Sequence, residues 1–245
     1  MKRAVIVGNN EYPNAPGNGL IGCVPDLQHV RAFLTDKFID QFYSILPLAN
    51  ATKAQEMAAL TAMCQAAKPG DYLLWSHSSH GGLQDDGTPF IACSDIRELG
   101  NGWDPKTIIT HEEVHTLIAG LPAGVIMEFL LDACFSDGME RLLGKTYSKS
   151  KFIAHSQGGP TEPKGLLPQP SNGILFAACQ GNETAADGGN SGGVFTTAFI
   201  SCYKPELSRK DLMATIVQQI HKESYPQTPA LDCSDGLAGL PFGSF

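Results

Sequence analysis

No stripe of basic residues runs through this chain. Its 245 residues hold 17 Lys and Arg against 25 Asp and Glu, a formal net charge of -8. Nothing there could neutralise a run of phosphates, which argues against a nucleic-acid partner. An acidic surface suits basic substrates, although net charge alone more often reflects solubility. No apolar run approaches the roughly 20 residues of a membrane span. The N-terminus, residues 1–8, has basic residues but only a short apolar run, so it reads as a strand rather than a signal peptide. The seven cysteines are an odd number with no C-x-x-C pair, and several sit inside apolar runs. They read as reduced, intracellular thiols buried as small hydrophobes. A cytoplasmic protein with no membrane partner is expected, and the sequons at Asn50 and Asn182 carry no weight in it. Internal repeats and low-complexity tracts are also lacking.

What is present fits a folded α/β protein. At 42% hydrophobic residues the chain can build a real core, and its length suits one large domain or two small ones. Residues 4–7 read as a first strand, closed by Gly8-Asn9-Asn10. Pro25-Asp26-Leu27 opens a helix with Leu27, Val30, Phe33 and Leu34 on one face. A strand over 42–48 follows, then a helix capped by Thr52 and stopped by Pro69-Gly70. Residues 71–76 form the next strand, and 89–93 a short one. Thr110 begins a helix with Val114, Leu117, Ile118 and Leu121 as its buried stripe. Strands over 125–132 and 173–179 and helices over 195–203 and 208–224 complete the pattern. Alternating strands and helices predict a largely parallel sheet with helices on both faces.

Two strand ends carry the chemistry. The apolar run from Val125 drives toward Asp132 and stops at Ala133-Cys134, then breaks into Phe135-Ser136-Asp137-Gly138. The run from Asp71 ends in His77-Ser78-Ser79-His80-Gly81-Gly82. If these strands are parallel, their C-terminal ends lie side by side, where ligands gather in open α/β sheets. That brings Cys134 and His80 together across about fifty residues. A free thiol, with a pKa of about 8.5, needs such a neighbour to be a good nucleophile at neutral pH.

Ser78-Ser79-His80-Gly81 and Asp132-Ala133-Cys134-Phe135-Ser136 resemble the two catalytic signatures of the caspase-like cysteine peptidases, closest to metacaspases and bacterial caspase homologues. Leu20-Ile21-Gly22-Cys23-Val24-Pro25-Asp26 resembles that branch's first-helix entry, and Ala177-Ala178-Cys179-Gln180 with Gly193-Val194-Phe195-Thr196 its small-subunit region. The resemblance implies a caspase-like α/β fold over one domain, 1–245. Within it, residues 1–143 would be large-subunit-like, residues 144–172 a mobile loop, and residues 173–245 small-subunit-like. It implies His80 as base, Cys134 as nucleophile, and an oxyanion hole made by the Gly81 and Cys134 backbone N–H groups. It places Asp26, Ser78 and Asp132 in the specificity pocket. Two buried carboxylates there want a guanidinium or ammonium, so the expected partner is a polypeptide with Arg or Lys before the scissile bond. True caspases hold an aspartate with arginines, and the loop from Gly8 to Gly22 contains none. A monomer is expected by the same likeness.

The chain departs from the pattern at Phe135, where the family has histidine, and at Asp137, where it has glycine. Calcium, used by many metacaspases, would fall to Asp95 and Glu112. The third acid is replaced by Arg141, and calcium wants six to eight oxygens, so no required cofactor is expected. Residues 144–172 hold Lys145, Lys149, Lys151 and Lys164 at the junction between subunits, where an enzyme that cuts after basic residues could process itself. The leading alternative is a caspase-like pseudoenzyme that binds partners without cleaving them. A zinc hydrolase is third: His111-Glu112-Glu113-Val114-His115 matches H-E-x-x-H but stands at a helix start with no obvious further ligand. Gly189-Asn190-Ser191-Gly192-Gly193 matches G-x-S-x-G, yet no strand leads into it, so it reads as a loop. His29, His155 and His221 have no nameable partner and read as surface residues.

Overall fold

In a computed structural model the chain folds around a six-stranded sheet. The structure describes residues 1–100, 102–134, 149–154, 172–180, 183 and 185–244. The central strands are β1 (Lys2–Gly8), β2 (Phe42–Ala49), β3 (Tyr72–Ser78), β4 (Ile126–Asp132), β5 (Gly173–Ala177) and β6 (Ala230–Asp232). They lie in the order β6-β5-β4-β3-β1-β2, all parallel except β6, which runs antiparallel beside β5. The antiparallel edge strand is a feature the sequence pattern did not reveal. Three residues without an apolar run give little signal.

Every residue of β3 is buried, and six of the seven in β4, as continuous apolar strands covered on both faces should be. Side chains alternate between two clusters with the period of two that a strand dictates. Ala4, Ile6, Tyr72, Leu74, Leu130, Ile174 and Phe176 face α1 (Cys23–Lys37), α4 (Val194–Cys202) and α5 (Arg209–Lys222). Val5, Val7, Leu73, Trp75, Met127, Phe129 and Leu131 face α2 (Lys53–Gln65) and α3 (His111–Ala119). Alternation puts Ser78, Asp132 and Cys134 on the side of α1 and α4. The end of β1 passes close beneath the start of α1, and only glycine fits there: a Cβ on Gly8 would sit 2.1 Å from the Cys23 carbonyl oxygen.

The expected helices form. Thr52 and Thr110 each close a capping box, with Gln55 and Glu113, and Ser208 caps α5. Helix α1 begins at Cys23, earlier than Pro25 suggests, so Asp26 lies in its first turn. Of the stripe expected on α3 only Ile118 is fully buried; Val114, Leu117 and Leu121 pack half-buried against the same cluster.

Residues 144–172 require a correction. Residues 144–148 and 155–171 lie outside the described residues, but 149–153 do not belong to a mobile loop. Lys149–Ser150 pairs antiparallel with Ala186–Asp187, and Lys151 and Ile153 are buried. The reason is chemical: Lys151 has two carboxylates to meet.

Candidate active site

Strands β3 and β4 pair in parallel with Ser78 opposite Asp132. His80 and Cys134 each follow two residues beyond that rung, past the ends of the paired strands. His80 is 3% exposed and Cys134 fully buried. Backbone contacts hold the His80 ring. Its Nε2 lies 2.6 Å from the Asn18 carbonyl oxygen. A carbonyl can only accept, so Nε2 carries a proton, and Nδ1 is the basic nitrogen whenever the ring is neutral. The His80 backbone N–H donates to the Tyr12 hydroxyl at 3.0 Å, and the Tyr12 ring packs against the imidazole at 5.0 Å between centroids. Tyr12 donates in turn to the Asn9 carbonyl at 2.9 Å.

The Cys134 sulfur meets Ala185. The Ala185 N–H donates to Sγ at 2.7 Å and the Ala185 carbonyl lies 3.3 Å from it. Cys179 stands beside it, and its hydrogen bond to Cys134, followed by burial, holds the Cys179 thiol well above the ordinary range. Behind the site, buried Glu56 of α2 takes His77 Nε2 at 2.8 Å and Asn9 Nδ2 at 2.9 Å, tying the ends of β1 and β3 to that helix.

Asp26, Ser78 and Asp132 come together as expected, around a fourth residue, Lys151. The Lys151 ammonium lies 2.8 Å from Asp132 Oδ1, 3.2 Å from Asp26 Oδ2 and 2.9 Å from Ser78 Oγ. Ser78 Oγ also donates to Asp26 Oδ2 at 2.6 Å. Both acids and the lysine are at most 1% exposed. Asp26 accepts from the Gly193 N–H at 2.7 Å, so its carboxylate faces the pocket rather than its own helix amides. Asp132 accepts from the Thr196 N–H at 3.1 Å and Thr196 Oγ1 at 2.8 Å, at the positive end of α4. Burial pushes Asp26 up to about 6, with Lys151 pulling the other way and Asp132 adding to the rise. Burial works against the Lys151 charge, yet Asp132, Cys23 and Asp26 outweigh it and hold the lysine well above its ordinary value.

Gly193 forms a wall of this pocket. A Cβ there would sit 2.2 Å from Asp132 Oδ2 and 2.5 Å from the Lys151 nitrogen. The run that resembled a nucleophile elbow holds a single 3-10 turn, Gly189–Ser191, where a loop was expected, and its last glycine closes the pocket. Asp187 braces the same loop, accepting from the Ile21 and Gly22 N–H groups at 2.9 and 2.8 Å.

Asp95 and Glu112, the acids expected for calcium, are not part of a ligand cluster among the described residues. Asp95 Oδ1 accepts from the Lys53 N–H at 2.9 Å at the start of α2, and Glu112 is exposed on α3. Among the described residues no group of three or more His, Cys, Asp and Glu could hold a metal ion, which also leaves the H-E-x-x-H match without a site. Burial and then His115 lower His111. His29 and His221 are exposed; His155, Arg141 and the rim at Phe135, Ser136 and Asp137 lie outside the described residues.

The family model of the caspase domain matches residues 1–237. The chain belongs to the caspase-domain family of peptidases. Metacaspase-1 of Cryptococcus neoformans is 24% identical over 95% of this chain, and metacaspase-1B of Neurospora crassa 23% over 96%. The chain spans 62% and 67% of the length of those relatives. Among solved structures, a Geobacter sulfurreducens protein superposes with a TM-score of 0.75 at 18% identity, covering 100% of this chain and 98% of that one. Caspase-1 of Spodoptera frugiperda gives 0.69 at 13% identity, covering 100% and 92%. At these identities the solved structures establish the caspase-like fold.

Sequence reasoning missed Tyr12, Asp187 and Thr196 as members of the site and Lys151 as the pocket's occupant. Thr196 and Gly193 stood inside a recognised stretch without a role. Lys151 stood among four lysines of one segment, and nothing local separated it from the rest.

Proposed function

We propose that this caspase-family domain is a cysteine endopeptidase that cuts after Arg or Lys. The observation that carries the reading is a sealed pocket with two carboxylates and a hydroxyl, already holding a lysine ammonium. Such a pocket repels an acidic side chain and leaves an aliphatic one facing unpaired charge. A guanidinium or ammonium satisfies it.

His80, held by Asn18 through Nε2, takes the Cys134 proton on Nδ1. The thiolate adds to the scissile carbonyl, and the Gly81 and Cys134 N–H groups bind the developing oxyanion. His80 then protonates the leaving amine, and water hydrolyses the thioester. The dyad chemistry itself needs no metal, and in this reading the enzyme works without calcium and as a monomer.

Turnover of fluorogenic peptides ending in Arg, Lys or Asp, with calcium or chelator, tests this on wild type and Cys134→Ala. The expected result is cleavage after Arg and Lys only, unchanged by chelator and absent from the variant. Cleavage after Asp would overturn the pocket assignment. Silence from folded protein in every well would favour a binding module without activity, a state that the buried Cys134 thiol also fits.

A further inference from the structure

Cys134 has a second sulfur beside it. The Ala178 N–H donates to the Leu131 carbonyl at 2.9 Å, which carries the pairing of β5 with β4 one residue past its last rung, Ala177 with Leu131. Cys179 follows directly. Its Sγ lies 3.7 Å from the carbonyl oxygen of Ala133, in the peptide unit whose nitrogen belongs to Cys134. The Cys179 thiol also hydrogen-bonds with Cys134, and that bond, ahead of burial, keeps it well above the ordinary range. For Cys23, Cys64, Cys93, Cys202 and Cys233 burial comes first instead.

One buried side chain holds this pair in register. Gln227 donates from Nε2 to the Ala178 carbonyl at 3.0 Å and accepts at Oε1 from the Ala186 N–H at 2.9 Å. It ties the residue before Cys179 to the residue after Ala185, whose N–H and carbonyl meet the Cys134 sulfur. Both cysteines are buried in one cluster. The hydrolysis set out above uses Cys134 alone and leaves Cys179 without a task.

We propose that Cys179 is the resolving thiol of Cys134, and that hydrogen peroxide joins the two in a reversible disulfide that switches the peptidase off. The switch rests on the peptidase reading above. His80 takes the Cys134 proton and the thiolate attacks peroxide. An S–O bond forms, the O–O bond breaks, and the leaving hydroxide recovers the proton from His80 as water. Cys134 is then a sulfenic acid. Cys179 Sγ displaces its oxygen: the S–S bond forms, the S–O bond breaks, and hydroxide leaves with the Cys179 proton as a second water. Each thiol gives up one electron, and one peroxide is reduced to two waters. A sulfenic sulfur accepts the Cys179 hydrogen bond less well than a thiolate, so oxidation of Cys134 loosens the hold on that proton. Without a thiol in contact, the sulfenic acid would go on to sulfinic acid, which a dithiol does not reverse. Small size lets peroxide reach a sulfur that a peptide must also reach.

The experiment treats the folded protein with peroxide, unfolds it in excess alkylating agent, and reads its mass and peptide map. Wild type is expected to go from seven free thiols to two fewer, with Cys134 linked to Cys179. It should lose turnover of Arg peptides and regain it in dithiothreitol. Cys179→Ser should lose turnover as well, but dithiothreitol does not restore it, and Cys134 gains about 32 Da, the mass of two oxygens. The wild-type map stands whether or not Cys179→Ser folds. Cys134 linked to another cysteine, oxygen taken up at Cys134 of wild type with no link, or full recovery of Cys179→Ser would overturn this inference while leaving an Arg/Lys peptidase standing. A Cys134–Cys179 link in folded protein that cuts no peptide before oxidation would overturn the peptidase reading and the switch with it.

Discussion

Removing the Lys151 ammonium while keeping its bulk isolates what the charge does. Lys151→Met leaves Asp26 and Asp132 facing each other at 1% exposure each. Breaking a buried ion pair from one side costs about 3–5 kcal/mol, because the remaining charge is stranded away from water. The acids have a way out, which is to bind a proton. Burial pushes Asp26 up to about 6 even with the lysine present, above the unfolded value of about 3.9. A raised carboxyl pKa means the folded protein holds a proton that the unfolded chain releases, so stability falls as pH climbs through that window. The deficit of Lys151→Met against its parent should be small at pH 5 and reach about 3–5 kcal/mol at pH 8. For a domain of this size that is roughly 6–20 °C in Tm. Urea denaturation at the two pH values measures it directly. A deficit of equal size at both would refute the reasoning, since a loss of packing alone has no cause to depend on pH.

Three further outcomes follow from the same geometry. Gly193→Ala places a methyl 2.2 Å from Asp132 Oδ2, so kcat/KM for Arg peptides should fall about 100-fold or more, the scale of roughly 3 kcal/mol, with little change in the circular dichroism spectrum. Tyr12→Phe removes the acceptor of the His80 N–H while keeping the ring contact; steady-state kinetics should show kcat lowered by about fivefold, as for a net hydrogen bond of roughly 1 kcal/mol, and KM nearly unchanged. Asp26 ionises at about 6, above its usual range, so KM for an Arg peptide should rise several-fold as pH falls from 7.5 to 5.5, and Asp26→Asn should lose that dependence.

The order of strands and helices was legible because the sheet is parallel and covered on both faces. Burial on both sides forces continuous apolar runs such as those into Ser78 and Asp132, and a run that stops at small polar residues marks the sheet edge where chemistry sits. The ends of β3 and β4 could thus be paired from the sequence, and the motif resemblance named Asp26, Ser78 and Asp132. Strand β6 escaped notice because three residues at an edge carry almost no periodicity. Tyr12 and Asp187 escaped because their roles are hydrogen bonds to backbone atoms, which leave no pattern in side-chain order.

By itself, then, the sequence determined the layered α/β architecture, and its motifs named the two distant carboxylates of an acidic pocket. The tertiary structure alone decided what lies in that pocket. Four lysines in residues 144–172 are equivalent as text. Lys151 differs because the pairing of 149–150 with 186–187 delivers its backbone to Gly81 and Ala185 and its ammonium to Asp26 and Asp132. A contact of that kind depends on where the chain returns in space, and local sequence holds no record of it. Desolvated opposite charges attract strongly only when geometry brings them to hydrogen-bonding distance, and here the fold does so for one lysine.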